Sequence, residues 1–327
     1  MIDGIIWIFT SRCNMACPHC YISPRLTALT EMKLEDKLRL IREAGELGID
    51  FIGLSGGEPL IHPHFEAMLK EIAEYDIRTS LVTNGTVVSD SVARLLSECE
   101  TQVYVSVDGP PSVHETLRGP GSWEKMSRGV KKLLDYGVSI ATVMAVTRNN
   151  YTQTSEYVEE ALNLGADYVA LIPTMPAGRA LSSGLFVGRK EYLKAVSDAV
   201  EKCGELGVDL VLWCTPFAPL IAKKPYVHYS TCRPSDIIDI DPGGRLLLCD
   251  VLDIVVGSVA EGLERAAELY EKHPLVRLVT NPPELPEICR ECPLVGSCRG
   301  GCYARSLLLR GSLNAGDPLC PRFTQTS

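Results

Sequence analysis

Ten of the 13 cysteines in this chain fall into two spacing patterns that could bind metal. Three lie on one short stretch near the start and seven lie in the last third: Cys13, Cys17 and Cys20, then Cys232, Cys249, Cys289, Cys292, Cys298, Cys302 and Cys320. Three thiolates on one loop suit a [4Fe-4S] cube with one iron left open, and seven suit two further clusters. An open iron is a place where a small molecule can bind and react.

Zinc binding and disulfide formation are the alternative uses of these cysteines. Zinc could occupy the first stretch if His19 were a fourth ligand. Disulfides need an oxidising compartment, but the opening residues MIDGIIWIFTSRC have neither the basic lead nor the cleavage site of a signal peptide. No run reaches the ~20 apolar residues of a membrane helix. We therefore expect a cytoplasmic protein, without membrane contact, that uses these cysteines to bind metal.

The length and net charge of the chain limit its domain organisation and the partners it can bind. With 327 residues, 46% of them hydrophobic, the chain can bury one large α/β core and a smaller appendage. The net charge of −9 argues against broad, sequence-independent binding of nucleic acid, which needs a basic face. We expect no nucleic-acid partner.

Predicted strands and helices alternate up to about residue 212, and these elements must position the cysteines. Short β-branched runs separated by amphipathic stretches predict a parallel sheet with crossover helices. Strands are predicted at 5–10, 51–55, 78–83, 102–107, 139–146 and 168–172. Helices are predicted near 31–47, 64–75, 89–98, 123–136 and 152–164. Periodicity alone fits either a partial (β/α) barrel or an open doubly wound sheet.

Unusual residues follow the carboxyl ends of these strands, where parallel α/β folds bind ligands. The cysteine loop follows the first strand, SGGEP the second, TNG the third and VDG the fourth. A helix at 189–206 and an apolar run at 208–213 then lead to a stretch rich in proline and aromatics, so we predict domains at 1–214 and 215–327. The second contains a hairpin, IIDIDPGGRLLLCD, a helical stretch at 259–272 and a cysteine-dense tail that metal would have to stabilise.

The first domain resembles the radical S-adenosylmethionine (SAM) enzymes, whose cluster motif is C-x3-C-x2-C. SGGEP resembles their GGE/P motif, VSVDGPPSVHETLRG their S-x-D-G…H-x-x-x-R stretch, and PAGRA at 176–180 a common closing loop. The resemblance implies an α/β fold with a partial (β/α)6 TIM-like barrel. It also implies SAM contacts for the adenine (His19), for the amino group (Gly56, Gly57, Glu58 and Pro59) and for the carboxylate (Ser106 and Arg118).

The tail resembles the SPASM extension, with the pattern C-x(9-15)-G-x4-C…C-x2-C-x5-C-x3-C-x17-C. The resemblance implies a small cysteine-rich domain with two auxiliary [4Fe-4S] clusters, one held by Cys232, Cys249 and Cys302, the other by Cys289, Cys292, Cys298 and Cys320. Members with two fully ligated clusters have another cysteine between the first two, which this chain lacks. The fourth position is therefore an open iron, the distal Cys214, or an oxygen of Asp236, Asp239 or Asp241.

Asp250 directly follows Cys249. In sulfatase-maturing relatives the aspartate at this position is the proposed base, so the resemblance implies a catalytic role for Asp250. A carboxylate beside a buried cluster would accept a proton as a substrate radical is oxidised. The alternative is a structural role, in which Asp250 caps the next turn or binds backbone near the cluster.

The resemblance implies an oxidoreductase or maturase that reductively cleaves SAM to a 5′-deoxyadenosyl radical and abstracts a substrate hydrogen atom. An electron donor such as ferredoxin or flavodoxin would serve it. Relatives with this tail mostly crosslink or oxidise peptides or proteins, and others modify haem-type tetrapyrroles or mature tungsten-dependent oxidoreductases, so the substrate is a peptide, a protein or a small molecule. The first strand begins almost at residue 1, so we expect no N-terminal peptide-recognition domain. A multi-cluster electron carrier is the other class, but it would need no GGEP, Ser106 or Arg118.

Overall fold

The computed structural model of the chain describes residues 2–23, 30–231 and 236–323. Within these residues eleven strands form one sheet in the order β11-β10-β9-β1-β2-β3-β4-β5-β6-β7-β8. The strands are β1 Gly4–Thr10, β2 Phe51–Gly56, β3 Arg78–Thr83, β4 Gln102–Ser106, β5 Ile140–Val146, β6 Tyr168–Pro173, β7 Leu210–Leu212, β8 Val227–Tyr229, β9 Ile237–Ile240, β10 Arg245–Cys249 and β11 Leu252–Ser258.

Thirteen helices accompany these strands in the described residues; the first eight lie between strands and the last five follow β11. They are α1 Leu34–Glu46, α2 Phe65–Ile72, α3 Asp90–Glu98, α4 Pro111–Arg118, α5 Ser122–Asp135, α6 Thr154–Asn163, α7 Gly178–Ser182, α8 Arg189–Leu206, α9 Leu263–Lys272, α10 Pro274–Thr280, α11 Glu287–Arg290, α12 Val295–Cys298 and α13 Tyr303–Arg310. No helix among the described residues is long and apolar enough to cross a membrane.

The sheet is parallel from β9 to β8 and continues across the predicted domain boundary. β9 pairs in parallel with β1, from Gly4 opposite Ile237 to Trp7 opposite Ile240, and β10 and β11 extend it as antiparallel strands. β8 adds to the opposite edge beside β7. The chain after residue 214 therefore contributes strands to both edges of the sheet.

Chain length requires this sheet to curve. β8 ends at Tyr229 and β9 begins at Ile237, at opposite ends of the run of parallel strands. Eight residues span at most about 29 Å, whereas eight strand spacings in a flat sheet would separate the two strands by about 38 Å. The edges must bend toward each other, so the sheet curves around one of its faces.

β1 shows how the sequence builds both faces. Ile5, Trp7 and Phe9 are fully buried on the face that packs against the helices, with the Phe9 ring 6.3 Å from that of Phe65 in α2. Ile6, on the alternate face, lines the enclosed cavity. A strand covered on both sides reads as a continuous apolar run, as parallel strands do.

The six strands predicted in the first domain are confirmed to within about two residues, and the apolar run at 208–213 contains β7. The hairpin over 237–250 is also confirmed. β8, β11 and α4 were not predicted. β8 has only three residues, and α4 begins at the second proline of VDGPP, where the sequence indicates a turn.

Candidate metal and cofactor site

A cavity of about 1050 Å³ occupies the enclosed face of the sheet. It is larger than most single-ligand pockets, which run to about 1,000 Å³. Two groups of cysteines line it, one from the loop after β1 and one from the second half of the chain: Cys13, Cys17 and Cys20, then Cys214, Cys249 and Cys302. The two predicted metal regions therefore share one space.

The glycines of SGGEP allow the loop after β2 to pack on the cysteine loop. The Gly57 N–H donates to the Thr10 carbonyl at 2.9 Å, and the Glu58 N–H donates to the Arg12 carbonyl at 2.7 Å. A Cβ atom at Gly57 would lie 1.9 Å from the Arg12 oxygen, far inside contact distance. Only glycine fits at this position.

Glu58 joins the second and third loops. Its buried carboxylate accepts hydrogen bonds from the Thr83 hydroxyl at 2.7 Å, the Asn84 N–H at 2.7 Å and the Leu60 N–H at 3.1 Å. Burial raises the pKa of Glu58 above its ordinary value. Among the four predicted GGEP contacts, Gly56 and Gly57 line the cavity, whereas Glu58 and Pro59 are buried behind it.

TNG, which the sequence left without a role, holds the cysteine loop from the other side. The Asn84 amide donates to the Asn14 side-chain oxygen at 2.8 Å, and the Asn14 amide donates to the Thr86 hydroxyl at 2.9 Å. Asn14 is next to Cys13, so the third loop fixes the start of the cysteine loop.

Arg179, in the PAGRA loop, contacts the cysteine loop, which the sequence did not predict. Its backbone N–H donates to the Cys20 carbonyl at 3.0 Å, and its side-chain Nε donates to the Cys17 carbonyl at 2.8 Å. Gly178 has φ +54°, and a Cβ there would lie 2.5 Å from the Tyr21 oxygen. Burial raises the pKa of Cys20, and the Arg179 charge opposes that rise. The loop after β6 thus closes on the cysteines and places a cation beside them.

Asp108 orients Arg118. The fully buried carboxylate accepts from Arg118 Nε at 2.6 Å and from the Ala145 N–H at 3.0 Å. Burial opposes ionisation of Asp108, but the Arg118 guanidinium and its other neighbours together hold the pKa below its ordinary value. Arg118 and Ser106 both line the cavity. His114 does not line the cavity, and its Nδ1 accepts a hydrogen bond from the Asp108 N–H at 3.3 Å.

His19 faces the same cavity. Burial lowers the pKa of His19 to about 4, so the ring is neutral at physiological pH. Its Nε2 lies 3.4 Å from the Asp108 carboxylate, and its buried Nδ1 has no hydrogen-bond partner within the described part of the chain. A buried polar atom on a cavity wall fits a ligand that brings its own hydrogen-bonding group.

A second group of ligand-type side chains surrounds Cys249. Atoms of Asp239, Cys249 and Asp250 that could bind a metal lie within 4.8 Å of one another. Asp250 accepts a hydrogen bond from the Tyr21 hydroxyl at 2.5 Å, and its N–H donates to Asp239 at 3.1 Å. Tyr21 directly follows Cys20, so a single hydrogen bond connects the two cysteine regions. Cys232, the predicted partner of Cys249, lies outside the described residues.

The four cysteines predicted for the second auxiliary cluster come together at a small separate cavity, lined by Cys289, Cys292, Cys298 and Cys320. Burial raises the pKa of Cys298 to about 12, and the charges of Cys320 and Cys289 add to the rise. Such thiols do not ionise together unless a cation binds them. Four sulfurs in one pocket fit the set of ligands that a [4Fe-4S] cluster requires.

A buried ion pair ties this region to the larger cavity. Arg305 donates to the Asp317 carboxylate through Nε at 3.0 Å and Nη2 at 2.6 Å. Asp317 also accepts from the N–H groups of Cys302 at 2.9 Å and Leu319 at 3.0 Å. Leu319 precedes Cys320, so one carboxylate positions a cysteine of each predicted auxiliary cluster.

Comparison with known proteins gives a consistent result. Residues 7–165 match the model of the Radical SAM superfamily. The chain is 26% identical to the AdoMet-dependent heme synthase of Oleidesulfovibrio alaskensis, covering 97% of this chain and 86% of that protein. It is 24% identical to the PqqA peptide cyclase of Granulibacter bethesdensis, with the same two coverages. The solved structure of anSMEcpe with bound AdoMet and a Cp18Cys peptide has the same fold, with a TM-score of 0.78 and 20% identity over 98% of this chain and 95% of that one.

Proposed function

We propose that this chain is a radical SAM enzyme that cleaves SAM reductively and uses the resulting radical to modify a peptide or protein. The match of residues 7–165 to the Radical SAM superfamily supports the first part, and the observation that carries the proposal is the cavity itself. Cys13, Cys17 and Cys20 line it together with the residues proposed to bind the amino-acid part of SAM, which are the Gly56–Gly57 turn, Ser106 and Arg118. An electron carrier would need the cysteines but not this set.

The residues around the first three cysteines fit a SAM-binding cluster. Cys13, Cys17 and Cys20 would hold three irons and leave one for SAM. When bound, the first cluster supplies the electron that cleaves SAM to methionine and a 5′-deoxyadenosyl radical, and the auxiliary clusters supply an acceptor for the electron that the substrate gives up. The enzyme's part is to position these groups and to exclude water and other hydrogen donors.

The amino-acid half of SAM would lie between the first two loops and α4. Arg118, oriented by Asp108, would bind the carboxylate through its remaining N–H groups, with Ser106 beside it. The backbone at Gly56 and Gly57 would meet the amino group, and the orphan Nδ1 of His19 would accept a hydrogen bond from the adenine.

Asp250 is proposed as the base that accepts the proton lost by the oxidised substrate. It lines the cavity and lies beside Cys249, and Tyr21 fixes one of its oxygens. Its neighbours place it between the first cysteine loop and the proposed auxiliary cluster, where a substrate would face both. If Asp250 were only structural, its hydrogen bonds would hold the loop in place, and loss of its carboxylate charge would not lower product formation.

A peptide substrate is supported by two similarities, one to a peptide cyclase and one to a structure that contains a peptide. The large cavity can admit a side chain from an extended segment. A tetrapyrrole is the second candidate, because two relatives that are 26% identical to this chain, against 24% for the peptide cyclase, are named heme synthases. Tungsten-oxidoreductase maturation is not favoured by any of these similarities.

The test is SAM cleavage by the anaerobically reconstituted chain with dithionite, read as 5′-deoxyadenosine. We expect cleavage that Cys17→Ala abolishes. The control is Cys203→Ala, which changes a buried cysteine of α8 outside the cavity and should leave cleavage intact. About twelve irons per chain would fit three cubanes. Full iron without cleavage would favour the electron carrier, and zinc in place of iron would refute the proposal. Mass spectrometry after incubation with candidate peptides or an iron tetrapyrrole then separates the substrate classes.

A further inference from the structure

The ligand set predicted for the first auxiliary cluster lacks a fourth cysteine, and the structure supplies one from outside the tail. Cys214 lies just after β7, at the carboxyl end of the parallel sheet. It lines the large cavity together with Cys249 and Cys302. Three cysteines from distant parts of the sequence therefore meet at one wall of that cavity.

Arg305 fixes Cys214 against Cys302. The Nη2 of Arg305 donates to the Cys214 carbonyl at 2.6 Å, and the backbone N–H of the same residue donates to Cys302 Sγ at 3.5 Å. Its side chain is 1% exposed and is held by Asp317. Because a single rigid residue contacts both cysteines, their separation is set by the fold.

The backbone of Cys214 is also unusual. It has φ +52°, a conformation that non-glycine residues adopt at a cost and that is enriched at functional sites.

We propose that Cys214 is a ligand of the first auxiliary cluster, at the cavity wall that it shares with Cys249 and Cys302, and that it completes the cysteine set predicted for that cluster. This inference rests on the proposed function in its assignment of that cluster. It assigns a cysteine of the first predicted domain to the metal site of the second, which ties the two together. It also leaves the cluster with no open iron, so that this cluster exchanges electrons with the substrate rather than binding it.

The carboxylates are weaker choices for the same position. Asp241 is held in its own turn by the N–H groups of Gly243 and Arg245 and by Arg245 Nε. Asp239 accepts from the Asp250 N–H, and Asp250 accepts from Tyr21. Iron–sulfur clusters prefer thiolate to carboxylate, so a cysteine at the same wall is the better ligand.

The experiment uses the full chain with Cys13, Cys17 and Cys20 replaced by alanine, which removes the cluster that has an open iron by design. We expect about eight irons per chain after reconstitution and an EPR spectrum of the reduced clusters that cyanide leaves unchanged. Adding Cys214→Ala should either open an iron, so that cyanide shifts the spectrum, or lower the iron content to about four. Cys214→Ser, which keeps an oxygen ligand, should retain the iron with an altered spectrum, and Cys203→Ala should behave as the background.

Two results would overturn the assignment. One is a cyanide-induced shift in the background itself, which would show an open iron despite Cys214. The other is a Cys214→Ala spectrum and iron content identical to the background. A background chain that binds no iron would refute the auxiliary clusters as well, whereas failure of SAM cleavage in the unmodified chain would refute the enzyme function and leave the ligand assignment standing.

Discussion

Gly57→Ala is the substitution whose effect follows most directly from the coordinates. The new Cβ would lie 1.9 Å from the Arg12 carbonyl oxygen and 3.2 Å from the Cys13 Cβ. Ordinary contact begins near 3.4 Å, so the two loops must separate by about 1.5 Å, the difference between the two distances. The obstacle is backbone, which cannot rotate away as a flexible side chain would.

That displacement moves the residues that are proposed to hold the cofactors. It breaks the hydrogen bond from the Glu58 N–H to the Arg12 carbonyl, 2.7 Å long, and moves Cys13 away from the cavity wall formed by Gly56. A shift of about 1 Å at a reacting centre costs on the order of 10²-fold in rate. We therefore expect SAM cleavage to fall at least about 10²-fold.

The assay measures 5′-deoxyadenosine from anaerobically reconstituted protein with dithionite, alongside iron content and the far-UV circular dichroism spectrum. Gly296→Ala is the matched control, because a Cβ at Gly296 meets no atom within 4 Å and its helix α12 lies away from the large cavity. It should leave cleavage unchanged. A Gly57→Ala enzyme that cleaves SAM within about threefold of the unmodified rate, against the 10²-fold expected from misplacement, would refute the reasoning.

Four further substitutions test the remaining contacts. Asp108→Asn should weaken SAM binding about 10- to 100-fold by releasing Arg118, the loss expected for a charged hydrogen bond; the Kd from equilibrium dialysis decides it. Asp250→Asn should preserve 5′-deoxyadenosine formation but lower the yield of modified product about 10²-fold. Tyr21→Phe should also lower the yield of modified product, because it frees the Asp250 carboxylate. Arg305→Met should leave Asp317 as an unpaired buried charge, cost about 3–5 kcal/mol of stability and lower the iron content of the tail.

Exposed residues provide the controls for this group. Asp253→Asn removes a carboxylate that lies largely in solvent on β11, so SAM binding and product yield should not change. Arg128→Met breaks an exposed pair with Glu124 and should cost no more than about 0.5 kcal/mol. Equal effects of Asp250→Asn and Asp253→Asn would leave Asp250 structural, and an Arg305→Met protein with full iron and unchanged stability would contradict the positioning role of that ion pair.

The sequence predicted well whatever depends on local periodicity. The six strands of the first domain are short apolar runs bounded by turn residues, so their existence and order were readable. The pairing of β9 with β1 was not readable, because it depends on the curvature that brings residue 237 beside residue 4. β8 is too short for any pattern to appear.

The site residues divide in the same way. Spacing indicated the cysteines as metal ligands, which stays a prediction, but the contacts between loops were hidden because each partner comes from a different strand. The contacts of Asp108 could not be predicted, since its two partners, Arg118 and the Ala145 N–H, lie 10 and 37 positions away. The resemblance implies a SAM contact for Glu58 but did not predict that its carboxylate binds Thr83 and Asn84.

The insertion of the tail hairpin beside β1 has a functional consequence of its own. Pairing of β9 with β1 continues the sheet into β10, and Asp250, just after β10, accepts a hydrogen bond from Tyr21. From Cys20 the path to Cys249 then runs through Tyr21, one hydrogen bond and Asp250. Under the proposed function, a substrate in that space can face both the proposed site of radical formation and the proposed electron acceptor without moving between them. Substitution of Tyr21 or of Asp250 therefore tests whether the two predicted metal regions act on one substrate.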